Sequence, residues 1–215
     1  MSFALISPDI SYDRVPLQTP IRLGILASGS GSNFEAIAQA IADGKLNATI
    51  PIVIYNNPNA AVVERASRLG VKAILLDHRL YKRREDLDRA IVETLRQHKV
   101  DWVIMAGWMR IVTAVLLDAY RDRVLNIHPS LLPSFPGIRA VEQALAAQVK
   151  VTGCSVHFAH LEVDSGPIVM QAVVPVMGDD TAETLHQRIQ TQEYRIFPLA
   201  IALAAHQAQQ PTTNN

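Results

Sequence analysis

Apolar runs that alternate with amphipathic stretches constrain the fold of this chain more than any other feature. The first run, Ile21–Ala27, is apolar at nearly every position, which is typical of a strand buried on both faces of a parallel sheet. Further strands are predicted at 50–55, 71–76, 102–106 and 123–128, and the helices between them at 34–42, 60–69, 85–98 and 114–120. This order predicts an α/β fold with a Rossmann-like, mostly parallel twisted sheet flanked by helices.

The second half of the chain has a different pattern. Val151–Phe158 alternates polar and apolar residues, and the next apolar run is Ile168–Pro175. Their tandem order predicts an antiparallel hairpin. A short helix is expected at 141–147, and a long helix from Thr181 carries an apolar stripe for the core, with Glu193 off that stripe.

Composition narrows the class of protein. Hydrophobic residues make up 49% of the 215 residues and charged residues 19%, so a large core is feasible. Lys plus Arg equals Asp plus Glu at 20 each, which gives no basic surface for nucleic acid. Because no apolar run could span a membrane and no signal peptide is recognisable, a cytoplasmic protein is expected. The single cysteine, Cys154, excludes an intramolecular disulfide and a cysteine-based metal cluster.

The two ends are expected to lie outside a single domain that spans residues 21–206. Residues 1–20 contain three prolines and no periodicity, which predicts a flexible N-terminal extension. Residues 207–215 are rich in Gln and Thr and are predicted to form a frayed tail.

A Gly-rich loop follows the first strand, with the sequence Gly29-Ser30-Gly31-Ser32-Asn33. Such a loop before a helix offers backbone N–H groups and the helix N-terminus to an anion. Phe34 stands where the third glycine of a dinucleotide fingerprint would fall, so a single phosphate is favoured over a dinucleotide. From these residues alone, a plain turn remains equally open.

The stretch Asn126-Ile127-His128-Pro129 places an amide and an imidazole on one face at the end of a strand. Ligands bind at the carboxyl ends of strands in open α/β sheets. Asp164, in a turn-rich loop, is inferred to approach His128 and to favour its protonated form. A cationic histidine beside an amide donor suits a developing oxyanion on an acyl carbon and can act as general acid. No activated nucleophile accompanies them, so direct attack by an amine or water is expected.

The run Lys82-Arg83-Arg84 has two interpretations. The commoner one is a solvated start of a helix. The functional one is a contact to a carboxylate at the rim of a pocket.

Five motifs, in order and at matching spacing over residues 21–203, resemble those of the phosphoribosylglycinamide formyltransferases, within the wider formyltransferase superfamily. They are Gly29-Ser30-Gly31-Ser32-Asn33, Ala106-Gly107-Trp108-Met109-Arg110, Asn126-Ile127-His128-Pro129-Ser130-Leu131-Leu132-Pro133, Ser155-Val156-His157-Phe158 and Leu161-Glu162-Val163-Asp164-Ser165-Gly166-Pro167. The sequence Gln190-Thr191-Gln192-Glu193 on the last helix also resembles this family.

The resemblance implies formyl transfer from 10-formyltetrahydrofolate, a co-substrate, to the glycinamide amine of 5′-phosphoribosylglycinamide in de novo purine biosynthesis. Residues 21–120 would form a phosphate-binding half, and residues 121–206 a catalytic and folate-binding half. The expected partners are small molecules, with no metal, nucleic acid or membrane. Monomer and homodimer both remain open.

For the ribonucleotide, the resemblance implies that Gly31, Ser32 and Asn33 hold the phosphate and that Glu193 lies near the amine. Arg84 would meet a folate carboxylate. The pterin pocket would be lined mainly through backbone contacts by Met109, Arg110, Ile111 and Val112.

For the reaction, the resemblance implies that Asn126 and His128 stabilise the tetrahedral intermediate, with Asn126 also touching the folate. His128 would donate a proton. Asp164 would raise the pKa of His128 and help to relay the proton. His157 is open between a partner of this group and a structural histidine. Trp108 stands where the resemblance leads us to expect Phe.

Three alternatives compete with this assignment. A formyltetrahydrofolate deformylase would use water in place of the amine, but such enzymes lack this Gly-Ser-Gly-Ser-Asn loop and usually carry an extra N-terminal domain. A methionyl-tRNA formyltransferase would need a further C-terminal domain and a basic surface. A non-catalytic nucleotide-binding module would have no need of Asn126, His128 and Asp164 together.

Overall fold

The computed structural model describes residues 5–210, which form one eight-stranded sheet flanked by six α-helices. The strands are β1 (Ile6–Ser7), β2 (Ile21–Ala27), β3 (Ala48–Tyr55), β4 (Ala73–Leu75), β5 (Trp102–Met105), β6 (Val124–His128), β7 (Val151–Phe158) and β8 (Ile168–Pro175). The helices are α1 (Ser32–Ala42), α2 (Val62–Arg68), α3 (Arg84–Gln97), α4 (Ala114–Ala119), α5 (Ala140–Ala146) and α6 (Ala182–Gln209).

The sheet has the strand order β1-β8-β7-β6-β5-β2-β3-β4. Strands β2 to β6 run parallel to one another, whereas β7 is antiparallel to β6 and forms a hairpin with β8. This arrangement confirms the predicted fold class. The predicted boundaries of the strands and of α1 to α5 lie within two residues of those observed, as is usual where helices and strands fray.

The core lies on both faces of the sheet. On one face, α1 and α6 pack through buried side chains that include Phe34, Ile189 and Phe197. On the other face, α3 and α4 pack through residues such as Ile91 and Leu116. Helices on both faces leave the carboxyl-terminal edge of the parallel strands as the open edge, and the site is built there.

The N-terminal segment packs onto the domain, whereas its sequence predicted a flexible extension. Strand β1 pairs antiparallel with β8, and Val15 and Leu17 are buried. The ring of His206 near the end of α6 donates through Nδ1 to the backbone oxygen of Pro16 at 2.8 Å. Val15 and Leu17 belong to the same core cluster as the buried residues of α6, which periodicity alone does not reveal. Helix α6 itself continues to Gln209, while residues 1–4 and 211–215 lie outside the described residues.

Substituting Val15 by Ala is expected to lower the free energy of unfolding by about 2 kcal/mol, because it removes two buried methyl groups and leaves a cavity. The matched control is Leu5→Ala, whose side chain is 70% exposed and should change stability by less than about 0.5 kcal/mol. Urea unfolding of both variants tests this. Equal stabilities would mean that the segment does not pack in solution.

Within residues 5–210, no helix is both long and apolar enough to cross a membrane.

Candidate active site

Strand β6 delivers two polar side chains to the open edge of the sheet. Asn126 and His128 are two residues apart and therefore share a face, and Pro129 prevents the strand from continuing. In the register between β6 and β7, His157 lies opposite Asn126 and Ser155 lies opposite His128. Because β7 pairs antiparallel with β6 in this register, a second histidine, His157, lies beside Asn126.

The loop between β7 and β8 brings Asp164 onto this pair. Its Oδ2 atom lies 3.3 Å from Nδ1 of His128, and both side chains are less than a tenth exposed. The amide of Gly137 donates to the same oxygen at 2.8 Å. Asp164 has a φ of +53°, a left-handed conformation that costs a non-glycine residue about 1 kcal/mol or more. The surrounding contacts hold Asp164 in this conformation at the site.

The second ring nitrogen of His128 is also engaged. Nε2 donates to the backbone oxygen of Phe135 at 2.8 Å. Both ring nitrogens therefore face acceptor oxygens, an arrangement that satisfies an imidazolium with a proton on each nitrogen. A proton on Nδ1 would face the carboxylate of Asp164, so the ring can hold or pass a proton at this nitrogen.

Opposing effects act on the Asp164 carboxyl. Burial raises its pKa, but the hydrogen bond from His157, the amide of Gly137 and the charges of His128 and His157 together outweigh burial and lower the pKa below its usual value. Asp164 is therefore an ionised acceptor near neutral pH.

His157 orients the amide of Asn126. Its Nδ1 donates to the backbone oxygen of Phe158 at 2.9 Å, so Nε2 accepts from Asn126 in the neutral ring and donates to Asp164, 3.5 Å away, when the ring carries a second proton. Nδ2 of Asn126 lies 3.1 Å from that nitrogen and 3.4 Å from Oδ1 of Asp164. The second contact is long, so a stronger acceptor in the cavity would compete for this amide hydrogen. Sequence reasoning left the role of His157 open, and the structure places it inside the polar cluster.

These polar groups border a cavity of ≈ 460 Å³. Three segments form its walls, at 107–112, 137–140 and 159–164. Its rim carries exposed apolar side chains, a feature that marks ligand sites. They are Met109, Ile111, Ile138, Leu161 and Val163.

The four wall residues predicted to contact folate, residues 109–112, all line the cavity. Arg84 does not. It is the exposed first residue of α3, which follows β4 at the outer edge of the sheet, whereas the cavity is built on β5, β6 and β7. The predicted contact of Arg84 with a ligand carboxylate therefore lacks support from the cavity lining.

Trp108 also lines the cavity, and its side chain packs into the core beside α3 and α4. Among the described residues, its indole N–H has no hydrogen-bond partner. The phenylalanine that the resemblance led us to expect would carry no such donor.

The Gly-rich loop lies at the same edge of the sheet. Gly31 has a φ of +76° and precedes the first turn of α1, to which Ser32 and Asn33 belong. A Cβ atom on Gly31 would approach Cγ2 of Val62 to 2.5 Å, so the close packing of the loop on α2 requires glycine here. The backbone N–H groups at the start of α1 are thereby presented together, as an anion site requires.

Helix α6 meets this loop through Glu193. Nδ2 of Asn33 donates to Oε2 of Glu193 at 2.9 Å, and both side chains are buried. Burial raises the pKa of Glu193, although the hydrogen bond from Asn33 and the charge of His186 act in the opposite direction. Oδ1 of Asn33 has no partner within the described residues.

The loop and the cavity are directly connected. The amide of Ser28 donates to the oxygen of Gly107 at 3.0 Å, and the amide of Met109 donates to Oγ of Ser28 at 2.8 Å. The cavity wall 107–112 thus comes from the first half of the chain, while Glu193 reaches the Gly-rich loop from the second. Residues from both sides of position 120, where the two halves were predicted to divide, therefore line the cavity and adjoin the Gly-rich loop.

Fold and site together define an α/β enzyme that can stabilise an oxyanion on an acyl carbon with an amide and a carboxylate-paired histidine. A model of the formyl transferase family matches residues 21–201, and the chain belongs to this family.

Named relatives agree with this assignment. The chain is 39% identical over 180 residues to a phosphoribosylglycinamide formyltransferase of Bacillus subtilis, covering 84% of this chain and 92% of that protein. It is 43% identical over 184 residues to the human trifunctional purine biosynthetic protein adenosine-3, covering 86% of this chain but only 18% of the human protein. The structure of glycinamide ribonucleotide transformylase 1 from Symbiobacterium toebii matches with a TM-score of 0.87 and 46% identity, over 89% of this chain and 90% of that one.

Proposed function

We propose that this enzyme transfers the formyl group of 10-formyltetrahydrofolate to the glycinamide amine of 5′-phosphoribosylglycinamide, in de novo purine biosynthesis. The observation that carries the proposal is the placement of Asn126, His128 and Asp164 at one end of an apolar cavity, with the Gly-rich loop beside it. Relatives that bear the name of this activity support it.

The cavity suits the folate co-substrate. A flat heterocycle and an aryl ring need apolar walls with a few hydrogen-bonding groups, and residues 107–112 offer both exposed side chains and backbone amides and carbonyls. The Gly-rich loop suits the phosphate of the ribonucleotide, with Gly31, Ser32 and Asn33 at the N-terminus of α1. We further propose that Glu193, buried beside Asn33, lies near the glycinamide amine.

In the reaction that we propose, the free amine attacks the formyl carbon and forms a new C–N bond. The carbonyl oxygen becomes an oxyanion, which the amide of Asn126 and the cationic ring of His128 stabilise. The C–N10 bond then breaks, and the folate nitrogen takes a proton that His128 delivers. The attacking nitrogen loses a proton in turn, which Asp164 and His128 relay, so the protein ends in its starting state. No acyl-enzyme is needed.

The first test follows the absorbance of the folate product with 10-formyltetrahydrofolate supplied and the ribonucleotide present or absent. We expect turnover only when the ribonucleotide is present. Equal turnover without it would identify a deformylase, in which water replaces the amine. Binding of the ribonucleotide without turnover, measured by calorimetry, would leave the non-catalytic binding module.

The transferase is favoured over the deformylase by one feature. Water needs no anchoring loop, whereas the Gly-rich loop beside the cavity gives an amine-bearing phosphate ester a second point of attachment. We propose small molecules as the partners, in a cytoplasmic enzyme that requires no metal and acts as a monomer or homodimer.

A further inference from the structure

The segment that follows His128 is not fixed by regular secondary structure. Residues 129–139, all within the described part of the chain, form turns and bends between β6 and α5. This segment carries the backbone oxygen of Phe135, which accepts the hydrogen bond from Nε2 of His128 at 2.8 Å. Phe135 has a φ of +56°, a left-handed conformation that a residue with a side chain keeps only when its surroundings hold it. The position of the His128 ring therefore depends on what anchors the segment.

Two side chains of the β7–β8 hairpin provide the anchor. In the register of the sheet, Ser155 on β7 lies opposite His128, and Gln171 on β8 lies opposite Ser155. The buried hydroxyl of Ser155 donates to the oxygen of Ser130 at 2.7 Å and accepts from the amide of Leu132 at 3.0 Å. Nε2 of Gln171 donates to Oγ of Ser155 at 2.8 Å and to the oxygen of Leu132 at 3.0 Å. The two side chains thus bind three backbone groups of the segment.

These contacts require a hydrogen-bond donor at position 171. The oxygen of Leu132 can only accept, and the hydroxyl of Ser155 already gives its single hydrogen to Ser130. Both groups therefore need a hydrogen from residue 171, and the side-chain NH2 group of Gln171 supplies one to each. A glutamate at this position would place a carboxylate against two acceptors, and a methionine would fill similar space without donating.

Further hydrogen bonds connect the anchored part of the segment to Phe135. Oγ of Ser130 donates to the oxygen of Ser134 at 2.5 Å, and the amide of Ser134 donates to the oxygen of Leu131 at 3.0 Å. These bonds close residues 130–134 into a compact turn. A displacement of Leu132 would therefore also displace the carbonyl of Phe135.

We propose that Gln171 is a positioning residue for His128 in formyl transfer, acting through Ser155 and the segment 129–135. This inference rests on the proposed function. Gln171 lies two strands away from β6 and outside the cavity lining, so it reaches the reaction through the carbonyl of Phe135 that accepts from Nε2. Without this fixed carbonyl the ring can tilt, and the proton donor is no longer aligned with the leaving nitrogen.

The kinetic test compares Gln171→Met and Gln171→Glu with Val173→Ala. Val173 is a matched control for lost packing, because it lies on the same face of β8, is half-buried like Gln171 and does not line the cavity. We expect Gln171→Met to lower kcat about tenfold and to leave KM for both substrates within about twofold of wild type, because a misplaced proton donor affects the transition state more than binding. Gln171→Glu should lose at least as much activity, and Val173→Ala should keep the wild-type kcat. Equal values of kcat in Gln171→Met and Val173→Ala would overturn the proposal.

NMR of the free protein separates the two proposals, because it needs no substrate. The nitrogen signals of the His128 ring report the protonation and hydrogen bonding of each ring nitrogen. We expect the Nε2 signal to shift in Gln171→Met and to keep its wild-type position in Val173→Ala. Such a shift supports the role of Gln171 in holding His128 even if formyl transfer to the ribonucleotide fails. An unchanged Nε2 signal in Gln171→Met would overturn that role while leaving the transferase intact.

Discussion

Replacement of His128 by alanine is expected to lower kcat about 1000-fold or more while the ribonucleotide still binds. The side chain supplies two effects in the proposed reaction, positive charge next to the oxyanion and a proton for the leaving nitrogen, and each is worth about 100-fold or more. His128 lies 3.3 Å from Asp164 and donates to Phe135, so its position is fixed before substrate arrives. The Gly-rich loop, where we propose that the phosphate binds, forms no hydrogen bond with His128, whose polar contacts are with Phe135 and Asp164.

The measurement is single-turnover formyl transfer with the ribonucleotide at saturation, together with calorimetric binding of the ribonucleotide. His160→Ala is the matched control, because His160 also lines the cavity but is exposed and forms no ion pair among the described residues. It should retain most of kcat. If His128→Ala kept the wild-type kcat, the proposed proton donor would be wrong.

The sequence was most informative where chemistry and local structure coincide. Asn126 and His128 could be placed together at the end of a strand, because alternation fixes their shared face and Pro129 fixes the end. The Gly-rich loop could likewise be placed between β2 and α1. These inferences need only the two or three residues on either side, and the sheet then brings the strand ends to one edge.

Contacts that depend on strand order or on distant chain segments could not be read in this way. The position of Arg84 relative to the cavity depends on the order of β4 and β5 in the sheet, because that order determines where α3 begins. The contact of Asp164 with His128 requires a left-handed residue in a loop 36 positions away, which no periodicity records. The packing of Val15 and Leu17 on α6 joins the two ends of the chain, and isolated apolar residues among prolines give no sign of it.

Replacement of Asp164 by asparagine is expected to lower kcat about 100-fold or more and to lower the free energy of unfolding by about 2 kcal/mol at neutral pH. The amide keeps the shape of the side chain but loses its charge. It then cannot hold a proton of His128 in place, and the half-buried amide of Gly137 loses a charged acceptor. Activity should fall more than binding, because the charge acts on a group that changes its protonation during the reaction.

The stability effect of this substitution should depend on pH with a definite sign. The pKa of Asp164 in the folded protein lies below its ordinary value, so the carboxylate stabilises the wild type above about pH 4 and loses this contribution as the pH falls further. Urea unfolding at several pH values between about 7 and 3 should show wild type and Asp164→Asn converging at the acid end. Glu162→Gln, an exposed carboxyl on the same loop, should show almost no difference from wild type at any pH. A stability difference between wild type and Asp164→Asn that stayed constant down to about pH 3 would mean that the carboxylate is not the stabilising species.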